Sequence, residues 1–231
     1  MYFYDPLYLL VMGASLVLGL AAQAWVTTAV RAQASVPLRS GMSGADVASI
    51  VLRASGLSGV RIEPSHGFLS DHYDPTTRTL RLSEDNYWGR SVAAAGIAAH
   101  EAGHAIQDAR GFWPMRVRQK LVPVANIGTQ LGVLMVMFGL MLGWLGVAQL
   151  GVFVFAGFVA FTLVTLPVEI DASRRAYGAL AQTGMFAPQE LSGVGRVLRA
   201  AAATYVAATI TAILQLLYFA LRVFGGQRRE D

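Results

Sequence analysis

His100-Glu101-Ala102-Gly103-His104 sets two imidazoles and a carboxylate in the pattern H-E-x-x-H. On a helix, residues four apart lie one turn apart on the same side. His100 and His104 would therefore point the same way and could share one Zn²⁺ through ring nitrogens. Glu101, next to His100, could reach a water activated by that metal and take its proton. The chain has four histidines, His66, His72, His100 and His104, and two of them fall in this motif with the Glu between them. The chemistry suggested is metal-assisted hydrolysis. The competing explanation is a helix that happens to carry two histidines.

A catalytic zinc needs three protein ligands and one open position. No histidine follows position 104, and a Glu on a second helix is the other common arrangement. Glu169 fits best, as an acid at the membrane edge of an apolar helix, where a carboxylate is costly without a partner. Its alternative role is a surface Glu paired with Arg174 or Arg175. Asp171 is the rival ligand. Two residues on, it faces a different direction, and it could instead orient a ligand histidine. His72 could hydrogen-bond substrate or stabilise an oxyanion. Alternatively, Asp71-His72-Tyr73-Asp74-Pro75 only shapes a turn through Asx bonds. His66 reads as a loop histidine.

The elements that must position these groups belong to a membrane protein. Of the 231 residues, 55% are hydrophobic and 14% charged, and the mean hydropathy is +0.49. The apolar residues come in long runs. The absence of Cys removes disulfides, thiolate metal sites and Cys nucleophiles. A net charge of +4 from scattered Arg residues is not a nucleic-acid footprint. Those Arg residues instead orient the chain in a bilayer.

Leu7 to Val30 can cross a hydrocarbon core of about 30 Å. Ala22-Gln23-Ala24 resembles a signal-peptidase site, but no Lys or Arg precedes the run, so residues 1–30 read as a retained anchor. Arg31 and Arg39 follow, placing that end in the cytoplasm. Residues 31–121 form the cytoplasmic part. Ser43 opens a helix with Val47, Ile50, Val51 and Ala54 as its apolar stripe, and Gly56 stops it. Val60-Arg61-Ile62 and Thr79-Leu80-Arg81-Leu82 alternate as strands around the turn residues Asp74-Pro75-Thr76-Thr77, which predicts a hairpin. Ser91 caps a helix over 92–109 that carries the motif, Gly111 ends it and Pro114 keeps it ended.

Val122–Leu142 and Val147–Val168 are the next two spans, a helical hairpin occupying 122–168. Gly128 with Gly132, and Gly139 with Gly143, have the spacing that lets membrane helices approach closely, though Gly is also simply common in such helices. Arg116, Arg118 and Lys120 precede the hairpin and again place residues 31–121 inside. Residues 169–200 predict a cytoplasmic helix with Glu169 at its start and a break near Gly184 and Pro188. Residues 203–224 are a fourth span or an interfacial helix. A span would put Gln227-Arg228-Arg229-Glu230-Asp231 outside. The predicted fold is mostly α: about four transmembrane helices plus a small α+β cytoplasmic zincin-like domain with a short β-hairpin.

At this level of detail the chain resembles the YugP-type membrane zinc metallopeptidases, also called neutral zinc metallopeptidases. The resemblance covers nearly the whole chain. It rests on Ser43-Gly44-Ala45-Asp46-Val47-Ala48, Leu69-Ser70-Asp71-His72-Tyr73-Asp74-Pro75 and Leu80-Arg81-Leu82-Ser83-Glu84. It rests equally on the motif block 98–107 and on Leu166-Pro167-Val168-Glu169-Ile170-Asp171-Ala172-Ser173-Arg174-Arg175. It implies a bacterial, membrane-embedded peptidase with a zinc site on the cytoplasmic side of the inner membrane. More distantly the chain is similar to HtpX and the CAAX prenyl proteases, gluzincin-type enzymes that pair the two-His helix with a Glu on a later helix. Their pattern has an Asp four residues after that Glu. Here the position is Ser173 and the nearby acid is Asp171.

The sequence thus predicts a multi-pass zinc endopeptidase acting on peptides or membrane proteins within the lipid bilayer. One Zn²⁺ sits on His100, His104 and Glu169, and Glu101 is the general base. An extended substrate could add as a strand beside 79–82. Two other readings compete: a site-2-type intramembrane protease with helix 92–109 in the bilayer, and a non-catalytic scaffold with a structural metal. Against the first, no L-D-G-like motif occurs. Against the second, a structural zinc has no need of Glu101. Neither a substrate identity nor an oligomer or adaptor follows from the residues.

Overall fold

The computed structural model describes residues 5–67 and 70–225. Leu69 and the tail Gln227–Asp231 lie outside the described residues. The chain divides into two units, Gln23–Trp113 with Val168–Ala203, and Met1–Ala22 with Pro114–Pro167 and Thr204–Asp231. Helices α1 (Pro6–Ala34), α7 (Leu145–Thr183) and α8 (Pro188–Phe224) contribute residues to both.

The first unit is the α+β part. Helix α2 (Gly44–Ala54) starts on a capping box: Ser43 Oγ accepts from Asp46 N, and Asp46 Oδ2 accepts from Ser43 N. Its buried face is Val47, Ala48, Val51 and Leu52. Of the other two residues expected on that stripe, Ile50 is half-buried and Ala54 is exposed, with Ala48 and Leu52 taking the buried positions instead. Strands β1 (Arg61–Ser65), β2 (His72–Asp74) and β3 (Thr79–Ser83) form a sheet in the order β1-β3-β2. The strands expected to form a hairpin, 60–62 and 79–82, instead pair in parallel as β1 and β3. The antiparallel partner of β3 across the turn is β2, a segment not expected to be a strand. In the hairpin turn, Asp74 Oδ1 accepts from Thr76 N at 2.9 Å and Oδ2 from Thr77 Oγ1 at 2.7 Å. β3 is the central strand, so no substrate strand can add beside residues 79–82. That expectation is corrected: the outer strands are β1 and β2.

A short helix α3 (Glu84–Tyr87) leads to α4 (Val92–Ala109), whose ends match the caps read from Ser91 and Gly111. Ser91 Oγ accepts from Ala94 N at 3.2 Å. The core joins Leu80 and Leu82 of β3, Val47 and Val51 of α2, Ala98, Ala102 and Ala105 of α4, and Ala176 and Leu180 of α7. Alanines along α4 let its neighbours approach closely.

The second unit holds α5 (Trp113–Ile127), a π-helical turn over Gly128–Gly132, and α6 (Val133–Met141), which together form one apolar rod. Pro114 lies in the first turn of α5, where its missing N–H is harmless, so it opens that helix rather than merely ending α4. A Cβ on Gly128, Gly132 or Gly139 would crowd the backbone of Val154, Phe155 or Ala148 on α7. These three glycines form a close helix seam. Gly143 does not join it: with φ at 71° and open space around it, it makes the turn between α6 and α7. Val136, Val152, Phe155, Val159, Phe219 and Val223 fill this core.

Four rods are long and apolar enough to cross a membrane: Pro6–Ala34, Trp113–Met141, Leu145–Thr183 and Pro188–Phe224. The chain is a mostly α, multi-pass membrane protein with a small α+β part. α7 continues through Pro167 and Glu169 to Thr183, and α8 is unbroken from Pro188. The segment expected as one helix from 169 onward is therefore the end of α7 and the start of α8, divided near Gly184 and Pro188 as expected.

Candidate metal centre

α4 supplies His100, Glu101 and His104, and α7 supplies Glu169, Asp171 and Ser173. Gly103 permits their approach, because a Cβ there would collide with the Ala172 carbonyl of α7. The His100 and His104 rings meet edge to face with centroids 4.8 Å apart. Glu169 Oε2 lies 3.1 Å from His100 Nε2 and 3.6 Å from His104 Nε2. One donor atom from each of the three residues falls within 4.8 Å of the others.

Glu169 is 2% exposed. A carboxylate that deeply buried is expensive unless charged or polar partners surround it. Here its neighbours are two imidazole nitrogens. Each histidine's other nitrogen is already engaged: His100 Nδ1 bonds to Ser173 Oγ at 3.1 Å, and His104 Nδ1 to Gln107 Oε1 at 3.0 Å. Both Nε2 atoms are thus directed at the carboxylate. Two imidazoles and one carboxylate are a donor set that suits zinc and leaves a fourth position. The residues fit the ion. Glu101, also buried, adjoins His100 on α4.

Asp171 does not touch either histidine. Its Oδ2 accepts from Gln107 Nε2 at 2.8 Å and from Arg175 Nε one turn on. The Arg175 guanidinium stacks 5.6 Å over the Phe112 ring. Asp171 is therefore one residue removed from the contact with a ligand histidine expected of it. Two residues make those contacts instead, and neither was singled out for the role. Gln107 stands three after His104, a helical spacing that could have pointed to it. Ser173 stands four after Glu169, where the distant relatives' pattern has Asp, and it takes up the histidine contact there.

His72 does not join the cluster. It is exposed on β2, and its Nδ1–H donates to the Ser70 carbonyl at 2.8 Å. Asp71 is a staple: it accepts from Ser83 N at 2.8 Å and from Asn86 Nδ2 at 3.0 Å, tying β2 to the β3–α3 junction. Tyr73 OH donates to Asp108 Oδ2 at 3.0 Å and fastens β2 to the end of α4. Burial, and then the hydrogen bond to Asp108, push the Tyr73 phenol above its ordinary value. His66, as expected, lies in a loop, paired with Glu84 at 2.9 Å.

A groove of about 940 Å³ is lined by Ala93 and Ile97 of α4, Ser65 of β1 and Val30 and Ala34 of α1. Ala93, Ile97 and His100 fall on one face of α4 by helical spacing.

The profile of the family described as "Putative neutral zinc metallopeptidase" matches residues 8–224. A curated relative from Bacillus subtilis (strain 168), named "Putative membrane protease YugP", is 39% identical over 221 residues, covering 96% of this chain and 98% of the relative. No solved structure matches.

Proposed function

The chain belongs to the neutral zinc metallopeptidase family, and on that premise we propose that it is a membrane-embedded, gluzincin-like endopeptidase working on the cytoplasmic side of a bacterial inner membrane. His100, His104 and Glu169 hold one zinc ion, and Glu101 is the general base. The observation that carries this reading is the convergence of one donor atom each from His100, His104 and Glu169 within 4.8 Å, beside a buried Glu101 that a structural metal would not need.

Bound zinc supplies Lewis-acid polarisation of the scissile carbonyl and lowers the pKa of water toward about 7. The Glu101 carboxylate accepts a proton from the attacking water as the C–O bond forms. It returns that proton to the amide nitrogen as the C–N bond breaks, leaving a carboxylic acid and an amine. Ser173 and Gln107 hold the imidazoles in place throughout. The groove along Ala93 and Ile97 has the size to take an extended chain, and helical spacing puts His100 on the same face of α4 as those two residues. Peptides or segments of membrane proteins are the substrate class, in keeping with the relative named as a membrane protease. A role in membrane-protein processing or quality control follows from that class. The Arg31, Arg39, Arg116, Arg118 and Lys120 flanks support the cytoplasmic side.

A site-2-type reading, with α4 in the bilayer, has less support. α4 shares a core with α2 and β3, and it is not among the helices apolar enough to span. Cysteine accessibility along 92–109 tests it: protection throughout, with the two ends on opposite faces, would favour it. The endopeptidase itself is tested with Glu101→Gln. The variant should bind one zinc and fail to cleave casein or an unfolded membrane protein. Full activity with zinc bound would sink the mechanism.

A further inference from the structure

We infer that Gln107 is a positioning residue that sets the tautomer of His104 and so presents its Nε2 lone pair to zinc, with Asp171 and the Val168 carbonyl acting through it. The inference rests on the metal-site reading above.

Gln107 is fully buried, and each polar atom of its side chain is committed. Nε2 donates to the Val168 carbonyl at 2.7 Å and to Asp171 Oδ2 at 2.8 Å. Both partners are acceptors only, so the amide NH₂ must face them. That leaves Oε1, an acceptor only, facing His104 Nδ1 at 3.0 Å. Nδ1 must then carry the hydrogen. In a neutral imidazole the other nitrogen is bare, and that nitrogen is the one facing Glu169. The hydrogen-bond direction thus passes from α7, through one amide, to a ligand on α4.

The far end of the relay is also held. Asp171 pairs with Arg175, whose guanidinium lies over Phe112. Phe112 N donates to the Gln107 main-chain carbonyl at 2.9 Å. Side chain and backbone of Gln107 are therefore anchored by one closed circuit of residues 107, 112, 175 and 171. Asp171 affects the metal site through the orientation of this amide, without contacting a ligand.

The test uses the full chain in detergent, labelled with ¹⁵N-histidine and loaded with zinc. Ring-nitrogen NMR reports the protonated atom of His104, and chelator competition reports zinc affinity. Wild type should show Nδ1 protonated and Nε2 bound to zinc. Gln107→Met, close in shape but without acceptor or donors, should lose about 10–100-fold in zinc affinity and the hydrogen-bonded Nδ1 signal. Gln107→Glu keeps an acceptor for Nδ1–H but offers no donor to Asp171 or the Val168 carbonyl. It should keep the Nδ1–H form with a zinc affinity between those of wild type and Gln107→Met; a merely space-filling glutamine would not separate the two variants. A wild-type His104 protonated on Nε2 would overturn the inference even if the methionine variant does not fold. So would unchanged zinc affinity in Gln107→Met. A wild type that takes up no zinc would overturn the metal-site reading and this inference with it. Zinc uptake with the expected tautomer but no proteolysis would overturn only the peptidase.

Discussion

Gly103 lies against the main-chain carbonyl of Ala172: a Cβ at position 103 would overlap that oxygen and sit 3.3 Å from Ala172 Cα. The contact joins the middle of the H-E-x-x-H helix to α7 one turn after Glu169. It is the reason a carboxylate 69 residues from His100 in sequence can lie 3.1 Å from its ring.

Gly103→Ala should therefore damage the site while leaving every chemical group of the motif in place. The added methyl must push α4 from α7, and overpacking of this kind costs about 1–3 kcal/mol. Thermal unfolding and zinc titration of the purified variant should both show losses. A variant matching wild type in both would refute the close-packing account.

Glu169→Ala should insert normally and retain less than one zinc per chain. Asp171→Ala should keep zinc with an affinity lowered by about 10–100-fold, since its influence passes through Gln107. Metal analysis of membrane-extracted protein checks both. If Asp171→Ala lost the metal while Glu169→Ala held it, the third ligand would be Asp171.

Ser173→Ala removes the partner of His100 Nδ1. Zinc affinity should fall about 10–100-fold, with the unfolding midpoint changed far less than in Gly103→Ala. Ser173→Asp, which restores an acceptor, should recover much of the affinity. Equal affinity in Ser173→Ala and wild type would remove Ser173 from the site.

In the β2–β3 turn, the Thr77 hydroxyl, opposed by partial burial and aided by the Thr76 amide and Arg81, holds the Asp74 carboxyl down to about 2. The ordinary value is about 3.9. Because the folded pKa is the lower one, the carboxylate's contribution is complete above about pH 4 and is lost as pH falls toward 2. Asp74→Asn should be less stable than wild type at neutral pH, and the gap should close between those values. Acid-unfolding curves of the two proteins read this directly, and a gap independent of pH would contradict it.

Much of the architecture was legible in the residues because it is set by neighbours in sequence. Ser43 and Ser91 cap their helices through bonds three residues ahead, Asp74 shapes a turn from Thr76 and Thr77, and the long apolar runs announce the spans. The motif itself is one helical turn, so the pairing of His100 with His104 follows from pitch alone. Glu169 could be nominated because a carboxylate at the edge of an apolar helix needs a partner.

Contacts between distant segments were decided by tertiary structure. The parallel pairing of β1 with β3 placed β3 in the middle of the sheet and removed the substrate edge assigned to it; no local pattern distinguishes a central strand from an outer one. Gly139 and Gly143 share a spacing, yet only Gly139 faces a neighbouring helix. Asp171 was expected to orient a ligand histidine, and the packing of α7 on α4 decided that Ser173 meets His100 while the aspartate meets Gln107. Sequence determined which groups could bind a metal, because ligand chemistry belongs to residue types. Which atoms converge, and which hydrogen each imidazole keeps, depends on groups 61 to 73 residues apart, and only the folded helices bring those together.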